Sequence, residues 1–186
     1  MQAQEYRLTV PNEEVYNQIY KDYVGSLKQA KIMISDYYDT KDLTMLKEGV
    51  VLRQRVDDGR TIVQMKKQLK LTEDNLFISE SKEEVQSNLE GSKMYHFVLN
   101  QFKQAKLENV LTLRTLRQMY FAQDFDFILD KTFYEDKIHN KKGQLFEIEM
   151  EILNLNTGDK AFIERMEKKY HLEKSHYTKM ERILLK

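Results

Sequence analysis

Residues 49–66 read GVVLRQRVDDGRTIVQMK. Asp58-Gly59 is a dipeptide that accepts the positive φ values of a tight two-residue hairpin loop, so the stretch is predicted to be two antiparallel strands. If those two residues form the loop, Asp57 faces Arg60, Arg55 faces Ile62, Arg53 faces Gln64 and Val51 faces Lys66. Side chains alternate across a strand, which puts Arg53, Arg55 and Lys66 together on one face of the hairpin. Three neighbouring cations destabilise a sheet unless anions answer them. That face is either a solvated outer wall or the lining of a site for a negatively charged partner.

Outward from the hairpin, the second informative stretch is Gln144–Leu153, QLFEIEMEIL. Glu147, Glu149 and Glu151 take every second position and Phe146, Ile148, Met150 and Ile152 the others, so one face of this strand is all carboxylate. A solvated strand face more often mixes signs. Cationic hairpin and anionic strand read as complementary walls of one interior. In a closed antiparallel barrel the acids could hold a hard divalent cation, Mg²⁺ or Mn²⁺, while arginine forks grip phosphate oxygens. Glu5 and Arg7 on a first strand over residues 3–10 would add one group of each sign. Arg117, Asp126 and Asp130 repeat the theme on two later strands, with Arg114 on the opposite face from Arg117.

The remaining pattern alternates strands with short helices. A helix is expected from Glu13, with Val15, Ile19, Tyr23 and Leu27 as its core stripe, then a strand over Lys31–Asp39. Asp39-Thr40 reads as the cap of a short helical turn, DLTML. KQLKLTEDN after Lys66 reads as a loop, Leu76–Lys82 as a strand, and 83–106 as helical with a break near Gly91-Ser92. Strands are expected over Val110–Phe121 and Phe125–Phe133, a turn at HNKKG, and helices over Lys160–Tyr170 and Tyr177–Leu185.

Composition narrows the function classes. The chain has 186 residues, 41% hydrophobic and 32% charged, which fits one domain spanning 1–186 with a sizeable core. Thirty basic residues balance thirty acidic ones, so general attraction to nucleic acid or an anionic membrane is not indicated. The tyrosines and phenylalanines recur at core spacings without a basic surround, which argues against base stacking. There is no cysteine, which excludes thiol catalysis and zinc-thiolate sites and fits a cytoplasmic location. No phosphate loop of the strand-loop-helix kind and no nucleophile elbow is present.

The run YYDTKDLTMLKEGVVLRQR, Lys66, Leu129-Asp130, FEIEME and the closing YTKMER together resemble a CYTH domain of the triphosphate tunnel metalloenzyme superfamily, in particular the small stand-alone CYTH proteins of Gram-positive bacteria. The resemblance implies an α+β fold, a closed eight-stranded antiparallel β-barrel or tunnel with flanking helices. By the same resemblance Arg53, Arg55, Lys66 and Arg117 match basic tunnel residues, and Lys179 a C-terminal lysine that reaches the phosphates. Glu147 and Glu149 match paired metal-binding acids, with Glu151 as helper, and Asp130 an acid that positions a neighbouring base. The family's Glu-x-Glu-x-Lys signature reads Ala3, Glu5, Arg7 in this chain; arginine keeps the charge but not the compact geometry of lysine. The implied activity is metal-dependent hydrolysis of the terminal phosphate of tripolyphosphate, ATP or another organic triphosphate, or of longer polyphosphate. Glu5, Glu147 and Glu149 would hold the metal, Arg7 would join the phosphate-binding cations, and Lys66, Glu149 and Lys179 would be catalytic. A non-catalytic polyphosphate-binding module and an adenylate cyclase are the alternatives.

Overall fold

The computed structural model describes residues 2–104, 106–122, 125–152 and 156–186, with the side chains of Gln2 and Ala3 and the whole of Leu153 outside what is described. In chain order the elements are β1 (Gln2–Val10), α1 (Glu13–Tyr23), a 3-10 turn (Val24–Ser26), β2 (Leu27–Asp39), α2 (Thr44–Lys47), β3 (Val50–Asp57) and β4 (Arg60–Leu71). There follow β5 (Leu76–Val85), α3 (Lys93–Gln101), β6 (Glu108–Ala122), β7 (Phe125–Asp136), β8 (Lys141–Glu151), α4 (Thr157–Tyr170), β9 (Glu173–Lys174) and α5 (Lys179–Leu184).

Hydrogen-bonded neighbours run β5-β4-β3-β2-β6-β7-β8-β1, and β1 pairs back to β5 through Gln2↔Glu80 to Tyr6↔Leu76. All pairings are antiparallel, so the eight strands close into a barrel. Closure pairs every one of the eight strands on both sides over at least part of its length among the described residues. The hairpin register is the one the sequence dictates, Arg53↔Gln64 and Val51↔Lys66, with Asp58 at φ 47° and Gly59 at φ 74° in the loop.

Strand alternation sorts residues into an apolar outside and a polar inside. Tyr6, Leu8, Phe127, Leu129, Ile148 and Met150 point outward and are buried under α1 and α4. Leu52 and Val63 on the opposite flank are covered by α3 through Tyr95 and Val98. Leu46 of α2 and Met180 and Leu184 of α5 pack on inward-facing Leu111 and Leu113, forming an apolar plug in the barrel. The fully buried Asp39 carboxylate fixes the first helix of this plug, accepting from the amides of Thr40, Met45 and Leu46 at 2.7, 3.0 and 2.9 Å. That is the cap expected from Asp39-Thr40.

Four expectations are corrected. KQLKL is not loop: β4 runs on to Leu71, paired with β5 across a register shift at Gln68/Lys70. Residues 83–85 continue β5 instead of opening a helix, and Glu84 caps α3 from there, accepting from Ser92 Oγ and Lys93 N. In both stretches most side chains meet solvent, so burial imposes no alternation for a sequence reading to detect. Leu27 belongs to β2 and not to the first helix, and within HNKKG the last three residues already pair in β8.

Candidate functional site

The inward faces enclose a cavity with about 1060 Å³ of atom-free space, its open mouth included. β1 contributes Glu5 and Arg7, β3 Arg53 and Arg55, β4 Gln64 and Lys66, β6 Arg117, β8 Glu149 and α5 Lys179. Alternation accounts for the strand residues, and Lys179 arrives because a Thr178–Glu181 capping box starts α5 at the barrel wall.

The cations fall into two kinds. Arg53 Nη1 donates to the Tyr37 hydroxyl and Arg55 Nε to Ser35 Oγ, each at 3.1 Å. Neither guanidinium has a carboxylate partner among the described residues. Burial, and then the Arg53 charge beside it, push Arg55 down to about 10. Burial would raise the Tyr37 phenol, but the neighbouring Arg53 and Arg55 leave it below its ordinary value.

The other cations are paired. Arg117 forks onto Asp130, Nε to Oδ1 at 3.0 Å and Nη2 to Oδ2 at 2.7 Å, and also meets Glu149 Oε2. Lys179 Nζ lies 2.6 Å from Asp130 Oδ2, 2.7 Å from Glu147 Oε1 and 3.4 Å from Glu149 Oε1. Lys66 Nζ donates to Glu5 Oε1 at 2.5 Å, and Arg7 pairs with the other oxygen of Glu5. Arg7 Nε stands 3.9 Å from Glu149 Oε1, its guanidinium lies 4.3 Å over the Phe77 ring, and its Nη1 is buried without a hydrogen-bond partner. Burial alone would raise the Glu149 carboxyl, yet Lys179, Arg117, Arg7 and Lys66 hold it well below the usual carboxylate range. Glu5 is lowered too, burial being outweighed by Arg7 and Lys66.

Asp130, Glu147 and Glu149 each offer an oxygen within 4.8 Å of the others. Hard oxygen donors in that number suit a divalent cation of the Mg²⁺ or Mn²⁺ kind.

A family model described as the CYTH domain matches residues 1–184. The chain belongs to the CYTH domain family. No curated protein sequence matches it significantly. Among solved structures, this CYTH chain is similar to a proposed adenylyl cyclase from Hippeastrum that reveals a dominant triphosphatase activity, with TM-score 0.72, 19% identity, and coverage of 96% of this chain and 93% of that one. It is also similar to a proposed adenylate cyclase from Bacillus halodurans (TM-score 0.69, 15% identity, covering 97% and 96%) and to a protein from Pyrococcus horikoshii (TM-score 0.59, 17% identity, covering 100% and 99%). At these identities the likeness bears on the fold alone.

The CYTH barrel gathers Glu5, Arg7, Arg53, Arg55, Lys66, Arg117, Glu149 and Lys179 around one cavity, with Asp130 and Glu147 buried behind its wall. Glu151 shares their face but is exposed and outside the lining. Asp126 does not join them either: it is exposed and pairs with Lys28 at 3.0 Å, because the strand alternation that sets its face does not set its depth. Sequence reading missed Arg182, which binds Glu147 Oε2 and donates to Thr9 Oγ1 at 3.3 Å. The available signal was its i+3 spacing from Lys179 on one short helix. Tyr37, Ser35 and the buried, unpartnered Ser79 hydroxyl were also missed.

Proposed function

We propose that this CYTH chain is a divalent-metal-dependent triphosphatase that releases the terminal phosphate of inorganic tripolyphosphate or of a nucleoside or other organic triphosphate. The observation that carries the reading is the pair Arg53 and Arg55, facing an enclosed cavity with hydroxyls but no carboxylate to answer them among the described residues. Like charges at that spacing call for a polyanion, and guanidinium forks match phosphoryl oxygens in shape.

In this mechanism Arg53 and Arg55 hold the phosphate chain from one wall while Arg7, Lys66, Arg117 and Lys179 neutralise it from the others. Arg53 and Arg55 are free of carboxylate partners among the described residues and already face the cavity, so charge that develops on the transferring phosphoryl group meets donors in place. Glu149 is central to the metal side, flanked by Asp130 and Glu147 and, across Arg7, by Glu5. When bound, the metal supplies Lewis-acid polarisation of the phosphoryl group and a more acidic water. No side-chain nucleophile is required, because water is the attacking group in hydrolysis.

The test is phosphate release from tripolyphosphate and from ATP with Mg²⁺, with Mn²⁺ and with EDTA, with thermal melts on the same samples. Turnover that EDTA stops and that Glu149→Gln abolishes is the expected result. A melt raised by tripolyphosphate with no turnover would make the protein a binding module, and cyclic nucleotide formed from ATP would make it a cyclase.

A further inference from the structure

The three carboxylates best placed for a divalent cation already hold a positive charge that belongs to the chain. Lys179 Nζ lies within 3.4 Å of an oxygen of each of Asp130, Glu147 and Glu149. Its side chain is largely buried, and the Asp130 and Glu147 side chains are fully so. An ammonium and a divalent ion cannot share such a cluster, because two cations a few ångströms apart repel strongly in a poorly solvated interior.

The same helix makes a second, different contact. Arg182 meets the other oxygen of Glu147 and reaches Thr9 behind it. Arg182 is itself largely buried, and Glu147 is the carboxylate that answers its charge there. Met180 and Leu184 fix α5 in the apolar plug, so the helix need not move if Lys179 leaves the acids. A lysine side chain swings through several ångströms on its four-carbon stem, and this one lines the cavity that Arg53 and Arg55 face.

We infer that Lys179 is a tethered counter-ion which a divalent metal must displace from Asp130, Glu147 and Glu149, and that Arg182 is a positioning residue which keeps Glu147 on α5 throughout. The displaced ammonium lines the cavity, where a bound phosphate chain offers it a new negative partner. Metal alone therefore binds weakly, and metal and triphosphate assist each other through Lys179. This rests on the metal-dependent reading above.

The experiment measures Mn²⁺ binding without any triphosphate, by the electron-spin signal of free Mn²⁺, for the unmodified protein, Lys179→Met and Arg55→Met. Arg55→Met removes one unit of charge from the same cavity but vacates no carboxylate, so it reports the general electrostatic effect. Lys179→Met is expected to bind Mn²⁺ at least about tenfold more tightly than the unmodified protein, and Arg55→Met less than about threefold. Lys179→Gln serves if the methionine variant does not fold. Equal tightening by the Lys179 and Arg55 variants, or none by either, overturns the inference while leaving the metal site standing. Absence of Mn²⁺ binding in all the proteins overturns the metal-dependent reading itself.

Discussion

On the β3–β4 side of the barrel, Arg53 and Arg55 reach only the Tyr37 and Ser35 hydroxyls, each at 3.1 Å. On the β6–β8 side, Arg117, Lys179 and Arg182 are matched by Asp130, Glu147 and Glu149 through contacts that leave Asp130 and Glu147 with no exposed surface. One wall carries surplus charge and the other is neutral within itself. A cation inside a barrel thus says little about a ligand until its internal partners are known. The first wall asks for an anion from outside, whereas the second is stabilised by its own pairs and must be opened before it can do anything else.

The largest effect expected from this contrast is on the neutral wall. Arg117→Met strips Asp130 of its fork and Glu149 of a partner, leaving buried carboxylate charge short of compensation. Breaking a buried pair in this way costs about 3–5 kcal/mol. Urea unfolding of the ligand-free protein measures it, and a loss below about 1 kcal/mol would erase the distinction between the walls.

Acid should act on the same wall. The Glu149 and Glu5 carboxyls are lowered in the folded protein, burial being outweighed by their cationic neighbours. A group lowered on folding contributes stability that is complete above its unfolded pKa, about 4.3 for glutamate, and is lost as pH falls through the folded value. The urea midpoint should therefore stay level from neutral pH down to about pH 5 and fall below about pH 4. An acid limb beginning near pH 6 would show that the carboxylates are not held as this wall holds them.

How far the two walls could be read in advance follows from what alternation encodes. Asp58-Gly59 fixes the hairpin register, so the shared face of Arg53, Arg55 and Lys66 was legible, as was the common face of Glu147, Glu149 and Glu151. The fates of those three acids were not: Glu147 is fully buried, Glu149 lines the cavity and Glu151 is exposed. Period-two spacing gives the face of a strand but neither depth along the barrel nor which residue arrives opposite. The partners of Glu147 come from α5, a separate helix that strand alternation cannot place; the family resemblance of YTKMER put Lys179 at the phosphates but paired neither Lys179 nor Arg182 with Glu147. The prolonged β4 and β5 escaped for a related reason, since rim residues that meet solvent are free of the hydrophobic pattern.

The smallest expected effect has the opposite sign and tests the surplus wall directly. Burial and the Arg53 charge lower Arg55 to about 10. For a base, a value lowered on folding means that the charged form is penalised in the folded state, and at pH 7 Arg55 is charged in both states. Its charge therefore opposes folding at neutral pH, an opposition relieved only above about pH 10. Arg55→Met removes the penalty, so the ligand-free protein should gain up to about 1 kcal/mol, a figure reduced from the full shift because the side chain is partly solvated. The stabilisation that tripolyphosphate confers should shrink in the same variant, since affinity for the native state sets that gain. Paired melts with and without tripolyphosphate read both quantities. If Arg55→Met instead weakened the ligand-free protein as Arg117→Met does, the β3–β4 wall would be held together by its cations, and the need for an external polyanion would disappear with the surplus.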